Sequence, residues 1–134
     1  LKRLQFEAPG TFHHSLMVAS LSEAAAEAIG ANALLTRVGS LYHDIGKMRR
    51  PLYFIENQAY FGSDNPHDRL PPRLSKRVVT SHTRDSIEMA KEHGLPEPIQ
   101  DFMTEHHGTV LCGYFYFRAL KEEGEASVDK AQFR

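Results

Sequence analysis

Leu41-Tyr42-His43-Asp44-Ile45-Gly46-Lys47 is the stretch on which the reading of this chain turns. It closes an apolar run through Leu34, Leu35 and Val38 at helical spacing, so a helix is expected from Ala33 to Ile45, stopping near Gly46. His43 and Asp44 then fall in its last turn. A carboxylate there meets the negative end of the helix dipole, which disfavours it by roughly a few tenths of a kcal/mol unless a cation compensates. A metal ion would be such a cation, and imidazole and carboxylate are its usual protein ligands.

Working outward, the spacing predicts a helix from His14 to Ile29, with Met17, Val18, Leu21, Ala25, Ala28 and Ile29 inward and Gly30 as the stop. His14 should lie on its buried side. The stretch Pro51 to Pro72, with Asn65-Pro66-His67 and Pro71-Pro72, reads as a long ordered loop holding at most one short helical turn. A helix from Leu74 to His93 places His82 inward with Val78, Val79, Met89 and Ala90, and Gly94 ends it. Pro96 and Pro98 open a helix through Ile99, Phe102, Met103 and His106 that closes at Gly108, and a last helix covers Val110 to Glu123. No stretch reads as strands in series, and the expected fold is all-α.

Each of four helices thus delivers an inward histidine, and burying neutral imidazoles without partners would strand several polar atoms. Convergence on metal satisfies all of them together. Adjacent residues in a helix point about 100° apart, so His106 and His107 ligate together most easily if they face different ions or if the helix frays at Gly108. Two ions with Asp44 as the bridge is the natural inference.

With 41% hydrophobic residues in 134, the chain can build one domain with a real core and is short for two. Sixteen basic against 17 acidic residues give a formal charge of −1, which offers no field for a nucleic-acid polymer or an anionic membrane. A lone Cys112 excludes an internal disulfide and any cysteine-rich zinc motif and fits a reducing compartment. There is no apolar stretch of about 18 residues and no signal peptide at Leu1-Lys2-Arg3. The absence of an initiator Met leads us to expect a fragment whose parent carries other segments, membrane ones among them.

The linked motifs Ala8-Pro9-Gly10-Thr11-Phe12-His13-His14-Ser15, Tyr42-His43-Asp44-Ile45-Gly46-Lys47, Asn65-Pro66-His67-Asp68, Thr80-Ser81-His82 and Glu105-His106-His107-Gly108-Thr109 span the chain. Together they resemble the HD-domain superfamily of metal-dependent phosphohydrolases, and within it the cytoplasmic HD domain of bacterial seven-transmembrane HD receptors. The resemblance implies an HD-domain helical bundle and hydrolysis of cyclic di-AMP to pApA at a site of two divalent transition-metal ions, iron or manganese, although zinc suits the same donors. It also implies a parent in the bacterial inner membrane, reached only through segments outside this chain. Carried onto this sequence, the metal ligands are His14, His43, Asp44, His82, His106 and His107. The superfamily pattern ends with an Asp on a later helix. Neither Asp101 nor Asp129 has the setting for it, so that ligand is expected beyond Arg134, with further C-terminal helices.

In that scheme Asp44 and Lys47 are the catalytic pair, Lys47 balancing phosphate charge one turn beyond the bridge. Lys47, Asn65 and His67 are the expected substrate contacts, with Tyr53, Phe54, Tyr60 and Phe61 as a wall against adenine. His13 is read as a packing or supporting group and His93 as a solvated helix end. Three rivals stand against this scheme. An HD-GYP enzyme acting on cyclic di-GMP would carry Gly-Tyr-Pro where Gly113-Tyr114-Phe115 stands. A general HD nucleotidase with one metal would not need His82, His106 and His107 together. A nucleotide-binding sensor without turnover would have shed ligands that persist here.

Overall fold

The computed structural model describes residues 1–134, and its regular structure is entirely helical. Seven α-helices run in chain order: α1 Lys2–Glu7, α2 Pro9–Ala28, α3 Ala33–Tyr42, α4 Ile55–Phe61, α5 Pro72–Glu92, α6 Glu97–Glu105 and α7 Gly113–Glu123. α2 lies on α3, α3 and α5 both pack on α6, and α7 packs on α5. The all-α expectation therefore holds.

Local chemistry sets most boundaries. Proline opens α2, α5 and α6, where a missing N–H costs nothing. Asn32 caps α3 by accepting the Leu35 N–H at 3.0 Å. The main core gathers Leu4, Ala8, Ile45, Met89, Ala90, Ile99 and Met103, so α1, the segment after α3, α5 and α6 share one apolar centre. Full burial of side chains the size of Leu4 or Met103 stabilises by about 1.5–3 kcal/mol each. A smaller cluster of Phe115, Ala119 and Phe133 joins α7 to the chain end, where the Cys112 N–H donates to the Phe133 carbonyl at 2.8 Å.

Three expectations are corrected, and the chain end adds a further element. α2 begins at Pro9 rather than His14, and its buried positions are the small residues Gly10, Thr11, Ser15, Ala19 and Ala26, whereas Met17, Leu21 and Ile29 are exposed. Apolar residues occupy both sides of this helix, so periodicity could not choose its inner face. α3 ends at Tyr42, and Asp44 sits outside it at φ −111°, ψ 15°, before the 3-10 turn Ile45–Arg49. The supposed loop is largely helical: 3-10 turns Pro51–Tyr53 and Pro66–Arg69 flank α4. The chain after α7 folds too, as 3-10 turns Glu125–Ser127 and Lys130–Phe133.

Two close approaches bring the site together. A Cβ on Gly10 would stand 1.8 Å from the Glu56 carbonyl oxygen, so only glycine lets α2 start against α4. A Cβ on Gly46 would stand 2.1 Å from the His82 carbonyl oxygen, and the Gly46 N–H donates to Ser86 Oγ at 2.8 Å. The segment after α3 thus rests on the backbone of α5. Buried Asn57 adds a polar pin, accepting the Thr11 N–H at 3.0 Å and donating to Thr11 Oγ1 at 2.9 Å. Buried Asp85 on α5 accepts from Arg49 at 3.0 Å and from Arg50 at 2.9 Å, which fixes the far side of the same segment.

Candidate metal centre

Every sequence-predicted metal ligand comes to one place. Asp44 is 2% exposed, and its two oxygens face different histidines. Oδ1 lies 3.2 Å from His82 Nε2 and 3.4 Å from His106 Nε2, while Oδ2 lies 3.2 Å from His43 Nε2 and 3.9 Å from His14 Nε2. His107 Nε2 completes the Oδ1 side, 3.2 Å from His82 Nε2. Two groups result, Asp44-His82-His106-His107 and His14-His43-Asp44, each with its ligand atoms within 4.8 Å of one another. Asp44 is their common member.

The ring hydrogen bonds make this arrangement a candidate cation site. The Nδ1–H of His43 donates to the Ser40 carbonyl at 2.6 Å, that of His82 to Val79 at 2.5 Å and that of His106 to Phe102 at 2.9 Å. A carbonyl only accepts, so each neutral ring carries its proton on Nδ1 and turns the Nε2 lone pair inward. His82 Nε2 and His106 Nε2 then stand 3.3 Å apart as two acceptors, and buried Asp44 Oδ1 has no hydrogen-bond donor of its own. Converging lone pairs repel unless a proton or a metal ion lies between them. The donor set fits divalent transition metals of the imidazole-and-carboxylate class.

Charge at the site follows from these contacts. Burial works to raise the Asp44 pKa, but donation from His106, His43 and His82, in whichever of these rings carries a second proton when no metal is bound, together with Lys47, holds it far below the usual carboxylate range. Burial lowers the His14 pKa, and it lowers that of His107 to about 4 with help from His106 and His82, so both are neutral, ligand-ready bases near pH 7. Burial also pulls on His43, yet contact with Asp44 raises it. Lys47 loses solvent, but Asp44 and Glu56 more than compensate and its pKa rises. Its ammonium is 3.0 Å from Asp44 Oδ2, 2.9 Å from Glu56 Oε1 and 4.9 Å above the Phe54 ring.

Particular readings need adjustment. His14 is 47% exposed rather than buried, and it reaches the cage from the open side. Of the two alternatives for His106 and His107, the structure has the helix ending early: α6 stops at Glu105, and both residues follow it and fall in the Asp44-His82 group. His67 is buried between Tyr53 and Phe115 and bonds the Tyr53 carbonyl through Nε2 at 2.8 Å, while Asn65 Oδ1 caps the turn at the His67 N–H and accepts from Gln58. Both line an aromatic cleft of about 370 Å³ with Phe54 and Glu56, next to the cage but outside it. Tyr60 and Phe61 are exposed, as are His13 and His93. Asp101 and Asp129 belong to neither ligand group. Glu56, Thr11 and Asn57 escaped the sequence reading, because their partners lie 45 and 46 residues away and no local pattern marks them.

An all-helical bundle that focuses four histidine-bearing segments on one His-Asp pair is the HD arrangement. A family model for the HD domain matches residues 11–127, and the chain belongs to that family. HD domains are metal-dependent, in keeping with the clustered donors. The chain is 53% identical over 134 residues to the cyclic-di-AMP phosphodiesterase PgpH of Listeria monocytogenes serotype 1/2a (strain 10403S), and 52% identical to that of Bacillus subtilis (strain 168). Both alignments cover all of this chain and 18% of the relative. The crystal structure of the L. monocytogenes PgpH HD domain in complex with cyclic-di-AMP superposes with a TM-score of 0.90 at 51% identity, covering 99% of this chain and 59% of that one.

Proposed function

We propose that this domain hydrolyses cyclic di-AMP to pApA as the metal-dependent catalytic part of a longer phosphodiesterase. One observation carries the reading: Asp44 presents Oδ1 to His82 and His106 and Oδ2 to His43 and His14, so a single buried carboxylate serves two groups of imidazoles. Identity of 53% and 52% along the whole of this chain, though along only 18% of each relative, to two cyclic-di-AMP phosphodiesterases supports the substrate class. A metal pair held there supplies charge neutralisation for a phosphodiester and acidifies water near neutral pH. The protein's own part is to fix six donors in place and to hold a permanent positive charge beside them.

Lys47 provides that charge. Its side chain is 13% exposed and bounded by Phe54, so its ammonium can meet a phosphate oxygen without travelling. The adjoining aromatic cleft, with Phe54, Asn65 and His67 in its wall, is the candidate seat of a nucleobase. Iron or manganese suits the donors. We further read the His14-His43 half, which has three ligands here, as completed by an Asp on a later helix of the longer protein, and the parent as an inner-membrane protein with this domain in the cytoplasm. No helix in this chain is long and apolar enough to cross a membrane, and the chain spans 18% of its curated relatives.

The test is metal analysis and turnover on anaerobically purified full-length protein. About two transition-metal ions per chain and conversion of cyclic di-AMP to pApA are expected. Removing a supporting partner of a metal ligand typically costs ~10–100-fold, so Asp44→Ala, which removes the bridge itself, should lose more than about a hundredfold in turnover with the helical content retained. Wild-type turnover in that variant sinks the assignment.

A further inference from the structure

We propose that Glu56 is a positioning residue that offers the Lys47 ammonium, which bridges it to Asp44, a second carboxylate to move onto and thereby sets how tightly the His14-His43 half takes its ion. The inference rests on the two-metal reading above. Lys47 Nζ is 3.0 Å from Asp44 Oδ2, the oxygen that also faces His43 Nε2 at 3.2 Å and His14 Nε2 at 3.9 Å. An ion taken by those donors and the ammonium compete for one oxygen. Like charges so close repel strongly where little water intervenes.

The ammonium has one other place to go. Glu56 Oε1 lies 2.9 Å from it, and the face of the Phe54 ring steadies it from the other side at 4.9 Å. Glu56 is itself steadied: the same oxygen accepts from Thr11 Oγ1 at 3.1 Å, and fully buried Thr11 is pinned twice by Asn57. Without the Glu56 charge, Lys47 stays on Oδ2 and its field is uncompensated. The Oδ1 half feels the ammonium less directly, because Lys47 touches Oδ2 rather than Oδ1. Glu56 therefore acts more on one ion than on the other, and it acts through Lys47.

Manganese titration of the full-length protein, read by calorimetry, separates these effects in four proteins: wild type, Glu56→Gln, Lys47→Met and the double variant. Two binding events are expected in the wild type. Glu56→Gln should weaken the second by on the order of tenfold, within the usual range of couplings between sites, and change the first by clearly less. Placed on Lys47→Met, the same change should cost less than about threefold, the non-additivity of residues in contact. Should Glu56→Gln fail to fold, Glu56→Asp draws the carboxylate back while keeping its charge and must weaken the same event. An equal loss in both backgrounds makes Glu56 an independent charge and overturns the proposal, as does no loss in either. A wild type that takes only one manganese ion overturns the two-metal reading itself.

Discussion

The two halves of the cage are built differently, although they share Asp44. On the Oδ1 side, His82 is 2% exposed, and His82 and His106 are both braced by carbonyls of their own chain three and four residues back. On the Oδ2 side only His43 has such a brace, while His14 is half exposed and a lysine already rests on the oxygen. Preorganised donors lose little freedom on binding, whereas mobile ones must be ordered at that moment. The lesson is that the Oδ1 half is braced at two of its three histidines and the Oδ2 half at one of two with a lysine on its oxygen, so the second depends more on its neighbours.

The sharpest way to break this comparison is to remove one ligand from each half. His82→Ala should cost the Oδ1 ion and, through the lost brace and packing, destabilise the fold, whereas His14→Ala should retain one ion per chain with nearly unchanged thermal unfolding. Each lost ion is expected to weaken by roughly a hundredfold or more, since even supporting partners of ligands typically cost ~10–100-fold. Metal analysis decides it: both ions lost from His14→Ala would abolish the distinction between the halves.

A smaller effect concerns the frame. Gly46→Ala drives a methyl into the His82 carbonyl and the Ser86 amide, where backbone rather than a flexible side chain must yield. Overpacking of this kind costs about 1–3 kcal/mol. Denaturant unfolding of the metal-free protein should show that loss, together with weaker metal binding in the Oδ1 half; an unperturbed variant would mean the contact is slack.

The smallest effect is a dependence on pH. Burial, then His106 and His82, lower the His107 pKa from 6.5 in the ordinary ring to about 4 in the folded state. The unfolded chain therefore binds more protons between those values, and stability must fall as pH drops from about 6.5 towards 4 while nothing is lost above 6.5. In metal-free protein, the stability difference between wild type and His107→Ala should shrink across that window in the wild type's disfavour. A difference flat with pH removes His107 from the acid response.

Much of this was legible in the chain. His14, His43, Asp44, His82 and the doublet His106-His107 sit in short motifs whose chemistry is carried by the residues themselves, so their convergence could be expected before any helix was placed. Helix faces were harder. Met17 and Leu21 look like core residues but are exposed, because α2 approaches its neighbours through Gly10, Ser15 and Ala19, and a close approach leaves no apolar stripe to read. Asp44 was placed inside a helix that stops two residues earlier, since a 3-10 turn and an α turn share their hydrophobic spacing over so few residues. Glu56 and Asn57 were invisible for another reason: their roles are defined by Lys47 and Thr11, which only the fold brings near.

Gly46 carries one last consequence. The stretch of chain that bears His43 and Asp44 comes at Gly46 against the main chain of the helix bearing His82, with only the short Ser86 hydroxyl bonded to it. The gap between the bridging carboxylate and its partner imidazole is therefore gauged at Gly46 by the thickness of the polypeptide, a dimension that side-chain changes elsewhere in the core do not set. The apolar centre around Met89 and Met103 is free to drift in composition, at a cost in stability alone, while the spacing of the ligands stays in tolerance.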